Sequence, residues 1–238
     1  MDKLQLDQHI SKQFNADLEG LKTQLLEMGG LVEQQVSDAL KAIESGDSSL
    51  ADRVIVNESE VDSREVSLDE DCTLVLARRQ PAASDLRMVL AVAKANRDLE
   101  RMGDEAQKIA KMALALSEGG DTKGYSEVRH IGSIVKVMIG QALDAFARYD
   151  VQTALEVAQQ DKNVDREYKS ALRELMTYMM EDPRSISKVM NVMWALRSLE
   201  RIGDHAQNIA EHIIYLVRGL DVRHTSVSEM ERQLNKDG

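Results

Sequence analysis

Residues 99–104 have the sequence Leu-Glu-Arg-Met-Gly-Asp, and residues 199–204 have the sequence Leu-Glu-Arg-Ile-Gly-Asp. The two stretches stand one hundred residues apart, and Ala-Gln at 106–107 recurs at 206–207. Further matches pair Asp47 with Asp150, Val61 with Val164 and Pro81 with Pro183. The chain is therefore a tandem duplication. Units of this size are too long for a solenoid, whose repeats run about 20 to 50 residues, and they predict two similar bundles side by side.

The composition favours an almost entirely helical protein. In 238 residues there are only two prolines, two phenylalanines and one tryptophan, while 43% of the residues are apolar and 30% are charged. This balance supports a buried core, but it is poor in the aromatic residues that strands prefer. Cys72 is the only cysteine, so no intramolecular disulfide can form, and we predict a reducing, cytoplasmic location.

The charge and hydropathy of the chain exclude several classes of function. A net charge of -11 argues against nucleic acid or anionic lipid as the main partner and favours cations and basic protein surfaces. No apolar run approaches the roughly 20 residues of a membrane span, and residues 1–4 lack the layout of a signal peptide. We therefore expect a protein that is neither secreted nor transmembrane.

Glycine, proline and aspartate residues divide the chain into six long helices. The fold class predicted is all-α, with two tandem three-helix bundles of antiparallel helices over residues 1–120 and 121–220. Residues 221–238 are polar and are expected to form a frayed tail. The breaks fall at Gly46-Asp47, at Pro81, within residues 118–124, at Tyr149-Asp150, at Asp182-Pro183 and at Gly219.

The repeated motif places two carboxylates one turn apart on the third and sixth helices. Leu99, Met102, Ala106, Ile109 and Ala113 form an apolar stripe, which Leu199, Ile202, Ala206, Ile209 and Ile213 repeat. At 100° per residue, Glu100 and Asp104 lie nearly opposite that stripe, as do Glu200 and Asp204, so these side chains are expected to point outward. Like charges at this spacing cost a few tenths of a kcal/mol, which calls for a compensating partner.

Further acidic pairs occupy matching positions on the second and fifth helices. Glu58 and Asp62 flank Val61, and Asp161 and Asp165 flank Val164, so each pair is directed toward a neighbouring helix. Each bundle can thus gather four carboxylates. An all-oxygen cluster suits Mg²⁺, Mn²⁺, Ca²⁺ or iron, and the lack of thiolates or paired imidazoles argues against a structural zinc site.

Two alternatives need no metal. The acidic pairs can be solvated surface groups neutralised by Arg97, Arg101, Arg197 and Arg201. The chain can equally be a metal-free helical scaffold whose twelve methionines supply adaptable packing, with Met176, Met179 and Met180 supporting a homodimer. Gly103 and Gly203 favour a site, because a glycine inside a helix costs about 1 kcal/mol and marks close approach, although helix packing explains them too.

A third alternative, a ferritin-like di-iron protein, requires Glu-x-x-His pairs. Here Glu100 and Glu200 are followed three residues later by glycine. His205 and His212 have no histidine counterparts in the first half, so we interpret them as surface or packing residues. No Ser-His-Asp arrangement, Cys-His arrangement or nucleotide-binding glycine loop is present, and we predict that the chain is not an enzyme.

The paired Glu-Arg-Met/Ile-Gly-Asp segments, the Asp-Pro before the sixth helix and the ending at Gly219 resemble the PhoU family of bacterial phosphate-signalling regulators. The resemblance covers residues 5–220. It implies two three-helix bundles, surface metal binding through paired Glu/Asp-x-x-x-Asp motifs, and negative control of the phosphate-starvation (Pho) response together with modulation of phosphate uptake.

The same resemblance assigns metal ligands and partners. The ligands are Glu58, Asp62, Glu100 and Asp104 in the first bundle and Asp161, Asp165, Glu200 and Asp204 in the second. The cofactor implied is a divalent or trivalent metal ion, with iron, manganese, magnesium and zinc all open. The partners implied are the PAS domain of the sensor kinase PhoR and the transporter ATPase PstB. Association with the membrane would occur only through them, and inorganic phosphate would be held through the metal.

Overall fold

The computed structural model describes residues 12–118 and 125–236, which form α-helices and contain no β-strand. The prediction of an all-α fold with two similar three-helix bundles is confirmed. The first bundle consists of α1 (Lys12–Ser45), α2 (Ser48–Arg79) and α3 (Ala83–Ser117). The second consists of α4 (Ser126–Arg148), α5 (Val151–Glu181) and α6 (Ile186–Arg218), with a 3-10 turn at Pro183–Ser185 between α5 and α6.

The helices begin and end near the predicted breaks. Gly46 and Gly219 adopt positive φ angles of 69° and 71°, a conformation that glycine reaches without steric cost. The break predicted within residues 118–124 begins at Glu118, which caps α3, but residues 119–124 lie outside the described part of the chain. Residues 1–11, on which the expectation about a signal peptide depends, lie outside it as well.

The expectation that residues 221–238 form a frayed tail is wrong for residues 227–236. These residues form a further helix, α7 (Val227–Lys236), which packs against α5. Val222, Val227 and Met230 are buried, and Gln159 on α5 donates a hydrogen bond to Glu231 at 2.6 Å. The ten residues of α7 include only three large apolar side chains, Val227, Met230 and Leu234, which are enough for a short helix when a neighbouring helix supplies the rest of the apolar surface.

The two bundles meet mainly through α3 and α6, which also carry the two copies of the repeated motif. These helices run antiparallel, because Arg87 contacts Leu216 while Glu105 contacts Arg201. The predicted apolar stripes are confirmed, since all ten of their residues are buried. Both bundle cores and the junction between them thus depend on α3 and α6. None of the described helices is long and apolar enough to cross a membrane.

Candidate metal sites

Helix capping sets the register of the acidic residues on α2 and α5. The side chain of Asp47 accepts a hydrogen bond from the Leu50 amide at 3.0 Å, and Asp150 accepts one from the Gln152 amide at 2.9 Å. Such a bond satisfies an amide that would otherwise lack a partner in the first turn. Glu58 and Asp161 each follow their cap by eleven residues, so the two repeats present the first carboxylate at the same height.

In the first bundle, Glu58 is directed into the groove between α2 and α3. Its side chain is only 4% exposed and lies against Gly103, where an added Cβ would stand 2.8 Å from Oε1 and 3.2 Å from Oε2. A side chain at position 103 would therefore displace the carboxyl group. Gly103 does more than permit close helix packing, because its missing side chain makes the room that Glu58 occupies.

The carboxyl group of Glu58 is in an unfavourable environment for a negative charge. Neither oxygen has a hydrogen-bond partner of good geometry among the described residues, although the amide of Gln35 is nearby. Burial raises the pKa of Glu58 to about 7, and repulsion from Asp62, Asp104 and Glu100 adds to the effect. At neutral pH this group is partly protonated, and an added cation would compensate for its burial and reduce the repulsion.

The other three predicted ligands of the first site lie around Glu58 and are more exposed than Glu58 is. Asp62 is exposed, whereas the side chains of Glu100 and Asp104 are 13% and 33% exposed. Arg101 contacts both of the latter, at 3.2 Å and 3.0 Å respectively. The expectation that Glu100 points freely outward is wrong, because α2 covers that face of α3. Burial raises the pKa of Glu100, with a further contribution from Asp104.

The second site repeats this arrangement with Asp161 in the place of Glu58. Asp161 lies against Gly203, where an added Cβ would stand 3.2 Å from Oδ1. Burial raises the pKa of Asp161 to about 7, and repulsion from Asp204, Asp165 and Glu200 contributes next. The two repeats thus each hold one protonatable carboxyl beside a glycine, surrounded by three further carboxylates.

Glu200 differs from its expected outward position. Asp204 is exposed as predicted, but Glu200 is buried beneath α5, and Arg197 contacts it at 2.6 Å. Burial raises the pKa of Glu200 and of Asp204, and the next cause is repulsion from Asp204 for Glu200 and from Asp165 for Asp204. Asp165 pairs with Lys169 at 3.5 Å. The surface ion pairing considered above therefore occurs for Arg101 and Arg197, whereas Arg201 contacts Glu105 at 2.7 Å instead.

The residues fit a hard metal ion in their chemistry, although their side chains are not arranged as a finished ligand set. Within residues 12–118 and 125–236 no three carboxylate, imidazole or thiol groups already converge on one point. Repulsion between the carboxylates and their pairing with arginines account for this spread. The unpartnered oxygens of Glu58 and the space beside Gly103 supply the opening that a cation would need.

Several residues near the sites were missed from the sequence. Glu65 and Asp69 continue the acidic stripe of α2 at the helical spacing 58, 62, 65, 69, which was visible and would have identified them. Asn96 donates hydrogen bonds to Asp69 at 3.1 Å and to the Glu65 carbonyl at 2.9 Å. In the second repeat, the buried Glu211 contributes to the raised pKa of Asp161, and no spacing rule connects these two residues.

His205 and His212 contact Asp98 across the junction of the two bundles. The distances are 2.8 Å from His205 Nδ1 and 2.9 Å from His212 Nε2, and Asn208 donates a third bond at 3.0 Å. Burial alone would raise the pKa of Asp98, but these hydrogen bonds outweigh it and lower the pKa. The histidines thus have a packing partner, and Asp98, which the sequence did not single out, organises the cluster.

Comparison with known families matches both repeats. The model of the PhoU domain matches residues 25–113 and again residues 128–213. A phosphate-specific transport system accessory protein PhoU homolog from Pseudomonas aeruginosa is 58% identical over 238 residues, covering 100% of this chain and 98% of that protein. The phosphate-specific transport system accessory protein PhoU of Escherichia coli strain K12 is 46% identical over 234 residues, covering 98% and 97%.

Solved structures show the same fold. The crystal structure of PhoU from Pseudomonas aeruginosa matches with a TM-score of 0.85 at 60% identity, covering 87% of this chain and 100% of that one. The phosphate transport system regulatory protein PhoU from Streptococcus pneumoniae matches with a TM-score of 0.79 at 30% identity, covering 85% and 96%. The eight predicted carboxylate positions lie within the two regions that the PhoU domain model matches.

Proposed function

This chain belongs to the PhoU family, and on that basis we propose that it is a cytoplasmic negative regulator of the phosphate-starvation response that modulates phosphate uptake. The names of its relatives support an accessory role in phosphate transport. In this proposal it acts as a metal-binding adaptor between the transporter ATPase PstB and the PAS domain of the sensor kinase PhoR. The role is regulatory rather than catalytic.

The observation that carries the metal-binding part is the carboxyl group that each repeat holds beside a glycine, buried in the case of Glu58 and half-buried in the case of Asp161. Glu58 with Asp62, Glu100 and Asp104 would hold one metal centre, and Asp161 with Asp165, Glu200 and Asp204 would hold the other. A multivalent cation, whether iron, manganese, magnesium or zinc, would supply positive charge and open coordination positions to an oxyanion such as phosphate. Acidic groups alone would repel that oxyanion.

The chain's own residues make binding dependent on pH. Glu58 and Asp161 have pKa values of about 7, so each is partly protonated in the neutral cytoplasm. A carboxyl group must lose its proton before it can coordinate a metal ion, and binding therefore releases protons. Metal affinity is expected to rise as the pH increases from 6 to 8.

Elemental analysis of protein purified without chelator or affinity metal tests the metal sites. We expect stoichiometric metal in the parent protein and none in a variant with Glu100, Asp104, Glu200 and Asp204 changed to alanine. A control variant changes four carboxylates outside the sites, Asp52, Glu70, Glu156 and Glu174, and should keep its metal. Circular dichroism establishes that both variants remain helical. Equal trace metal in all three proteins would leave a metal-free helical scaffold.

Phosphate binding and regulation are tested separately. Equilibrium dialysis with labelled phosphate should show binding to metal-loaded protein and none to the four-alanine variant, and no binding to either would exclude phosphate as a ligand. Deletion of the gene should derepress phosphate-starvation genes in rich phosphate. Unchanged expression after deletion would contradict the negative direction of control.

A further inference from the structure

A cavity of about 370 Å³ opens on the junction of α3 and α6, between the two bundles. We call it the junction cavity, and its walls are Glu105, Lys108 and Met112 of α3 and Trp194, Arg197 and Arg201 of α6. This volume is within the range of small-molecule sites, which combine apolar surface with a few polar groups. None of the eight predicted metal ligands lines the cavity.

The junction cavity occupies the place that corresponds, through the duplication, to the Asp98 cluster. A shift of one hundred residues relates the two sets, which are Asp98, His205, Asn208 and His212 in the cluster and Ser198, Glu105, Lys108 and Met112 at the cavity. In the cluster, Asp98 contacts all three of its partners at 2.8 to 3.0 Å. Ser198 is shorter than an aspartate and uncharged, so it cannot draw three partners together, and a space remains beside it.

The two ends of the junction cavity differ in character. Glu105 contacts Arg201 at 2.7 Å, and seven residues further along the antiparallel pair Met112 comes level with Trp194. One end of the cavity is therefore charged and the other is apolar. At 1.5 Å per residue, the two ends are about 10 Å apart along the helices. A ligand that fills the cavity must carry an apolar group and a charged group at a similar separation.

The apolar end presents the indole ring of Trp194, which is 57% exposed. At the corresponding place in the Asp98 cluster, Lys94 covers the ring of Tyr215, with its Nζ 5.3 Å from the ring centroid. The counterpart of Tyr215 in the first repeat is Ala115, so α3 supplies no side chain of that size beside the indole. An aromatic surface exposed in this way can stack with the ring of a planar ligand.

The rest of the junction cavity carries more positive than negative charge. Lys108 and Arg201 both contact the same oxygen, Oε1 of Glu105, at 2.9 Å and 2.7 Å, and Arg197 pairs with Glu200 at 2.6 Å. Three cations thus share two carboxylates, although the protein as a whole carries a net charge of -11. A guanidinium group has five N–H donors in a planar fork, so donors remain for the oxygens of a phosphate group.

We propose that the junction cavity binds a purine nucleotide, with its base stacked on Trp194 and its phosphate groups held by Lys108, Arg197 and Arg201. An extended nucleotide carries its base and its phosphates at opposite ends, as the cavity carries its aromatic and cationic groups. Inorganic phosphate would leave the indole uncovered, and a wholly apolar ligand would leave the cations without a partner. This inference goes beyond the proposed function and does not depend on a bound metal.

Calorimetric titration of ADP and of GDP into chelator-treated protein tests the proposal. We expect saturable binding, at a single site per chain, of at least one of the two nucleotides. The nucleoside, which lacks phosphate, and ribose phosphate, which lacks the base, should each bind at least about tenfold more weakly than the nucleotide, a difference of about 1.4 kcal/mol. The chelator removes any metal that could hold the phosphate groups at the carboxylate sites.

Variants locate the binding. Trp194→Ala removes the stacking surface and Lys108→Gln removes a positive charge, and each should weaken nucleotide binding by at least about tenfold. Lys94→Ala changes the position that corresponds to Trp194, and Lys111→Gln removes the same charge from the next turn of α3. These two control variants should change the affinity by less than about twofold. Circular dichroism establishes that all four variants fold.

Three results would overturn the proposal. The first is no binding of either nucleotide, and the second is a nucleoside or ribose phosphate that binds as tightly as the nucleotide. The third is an equal affinity of the Trp194→Ala and Lys108→Gln variants and their controls, because the nucleotide would then bind elsewhere. Since metal is absent from the titration, a negative elemental analysis would leave a positive nucleotide result standing, and the reverse also holds.

Discussion

The buried side chain of Glu58 makes the stability of the folded protein depend on pH. Its pKa is about 7 in the folded protein against 4.5 for an ordinary glutamate, so the folded protein binds this proton more tightly than the unfolded chain does. The stability that the proton contributes is fully present below about pH 4.5 and is lost as the pH rises through 7. Without metal, the first bundle is therefore weakened at neutral and alkaline pH.

Glu58→Gln removes this titration while keeping the shape of the side chain. As the pH rises from 4.5 to 8, we expect the free energy of unfolding of the metal-free variant to increase relative to that of the metal-free parent, by up to about 3 kcal/mol. Urea unfolding at both pH values in the presence of chelator measures the change, with the exposed Glu60→Gln as the control. A stability difference that is the same at both pH values would contradict the raised pKa.

Gly103 is the second residue at which a small change has a specific effect. Gly103→Ala forces the Glu58 carboxyl away from the groove, because the new Cβ would lie 2.8 Å from Oε1. We expect weakened metal binding without the stabilisation of about 0.5 to 1 kcal/mol that alanine usually gives inside a helix. Gly30→Ala, where nothing lies within 4 Å of the added Cβ, should give that stabilisation and keep the metal. Thermal unfolding and elemental analysis of both variants provide the comparison.

Among the helices, α7 is the one whose stability depends most on packing against a neighbouring helix. It has only ten residues, and an isolated helix of that length is marginal in water. Its stability therefore comes from the contact with α5 through Val227 and Met230 rather than from its own sequence. An element held in this way opens locally before the rest of the fold does.

Met230→Ala should release α7 from the second bundle. We expect faster amide hydrogen exchange over residues 227–236 and nearly unchanged protection in α1 to α6, because few contacts join α7 to the rest. Hydrogen exchange followed by mass spectrometry distinguishes the two regions, and the exposed Arg232→Ala serves as the control. Uniformly faster exchange throughout the chain would instead mean that α7 is required for the whole fold.

At the scale of the whole molecule, the two bundles are joined asymmetrically although their sequences are duplicated. Asp98 on α3 is held by two histidines and an asparagine of α6, whereas its counterpart Ser198 on α6 lies near Glu105, which pairs with Arg201 and Lys108. The junction thus contains two different clusters, one centred on the carboxylate of Asp98 and the other on the carboxylate of Glu105. The two copies therefore contribute different side chains to the junction between the bundles.

Asp98→Ala should destabilise the protein by about 3 kcal/mol at pH 7, because two imidazoles and an amide lose their common acceptor in a buried position. Ser198→Ala, at the equivalent buried position, should cost less than about 1 kcal/mol. Chemical denaturation of the two variants measures the difference. Equal costs would show that the Asp98 cluster does not hold the bundles together.

The sequence by itself determined the helices, the duplication and the eight acidic positions, since each of these depends on local spacing along one chain. Periodicity identified the buried stripes of α3 and α6, and glycine, proline and aspartate marked the helix ends. The family followed from the repeated motif. Residues such as Glu65 and Asp69 were visible in the same way, because they continue a stripe on one helix.

Only the tertiary structure decided what each side chain faces. Glu100 and Glu200 were predicted to be outward by periodicity, but α2 and α5 cover them, and a helix cannot report its neighbours through its own spacing. The docking of α7, the Asp98 cluster and the position of Glu58 against Gly103 likewise join residues that are distant in sequence. Burial and repulsion, which set the pKa of Glu58 and Asp161, arise only when separate helices bring carboxylates together in a region of low dielectric.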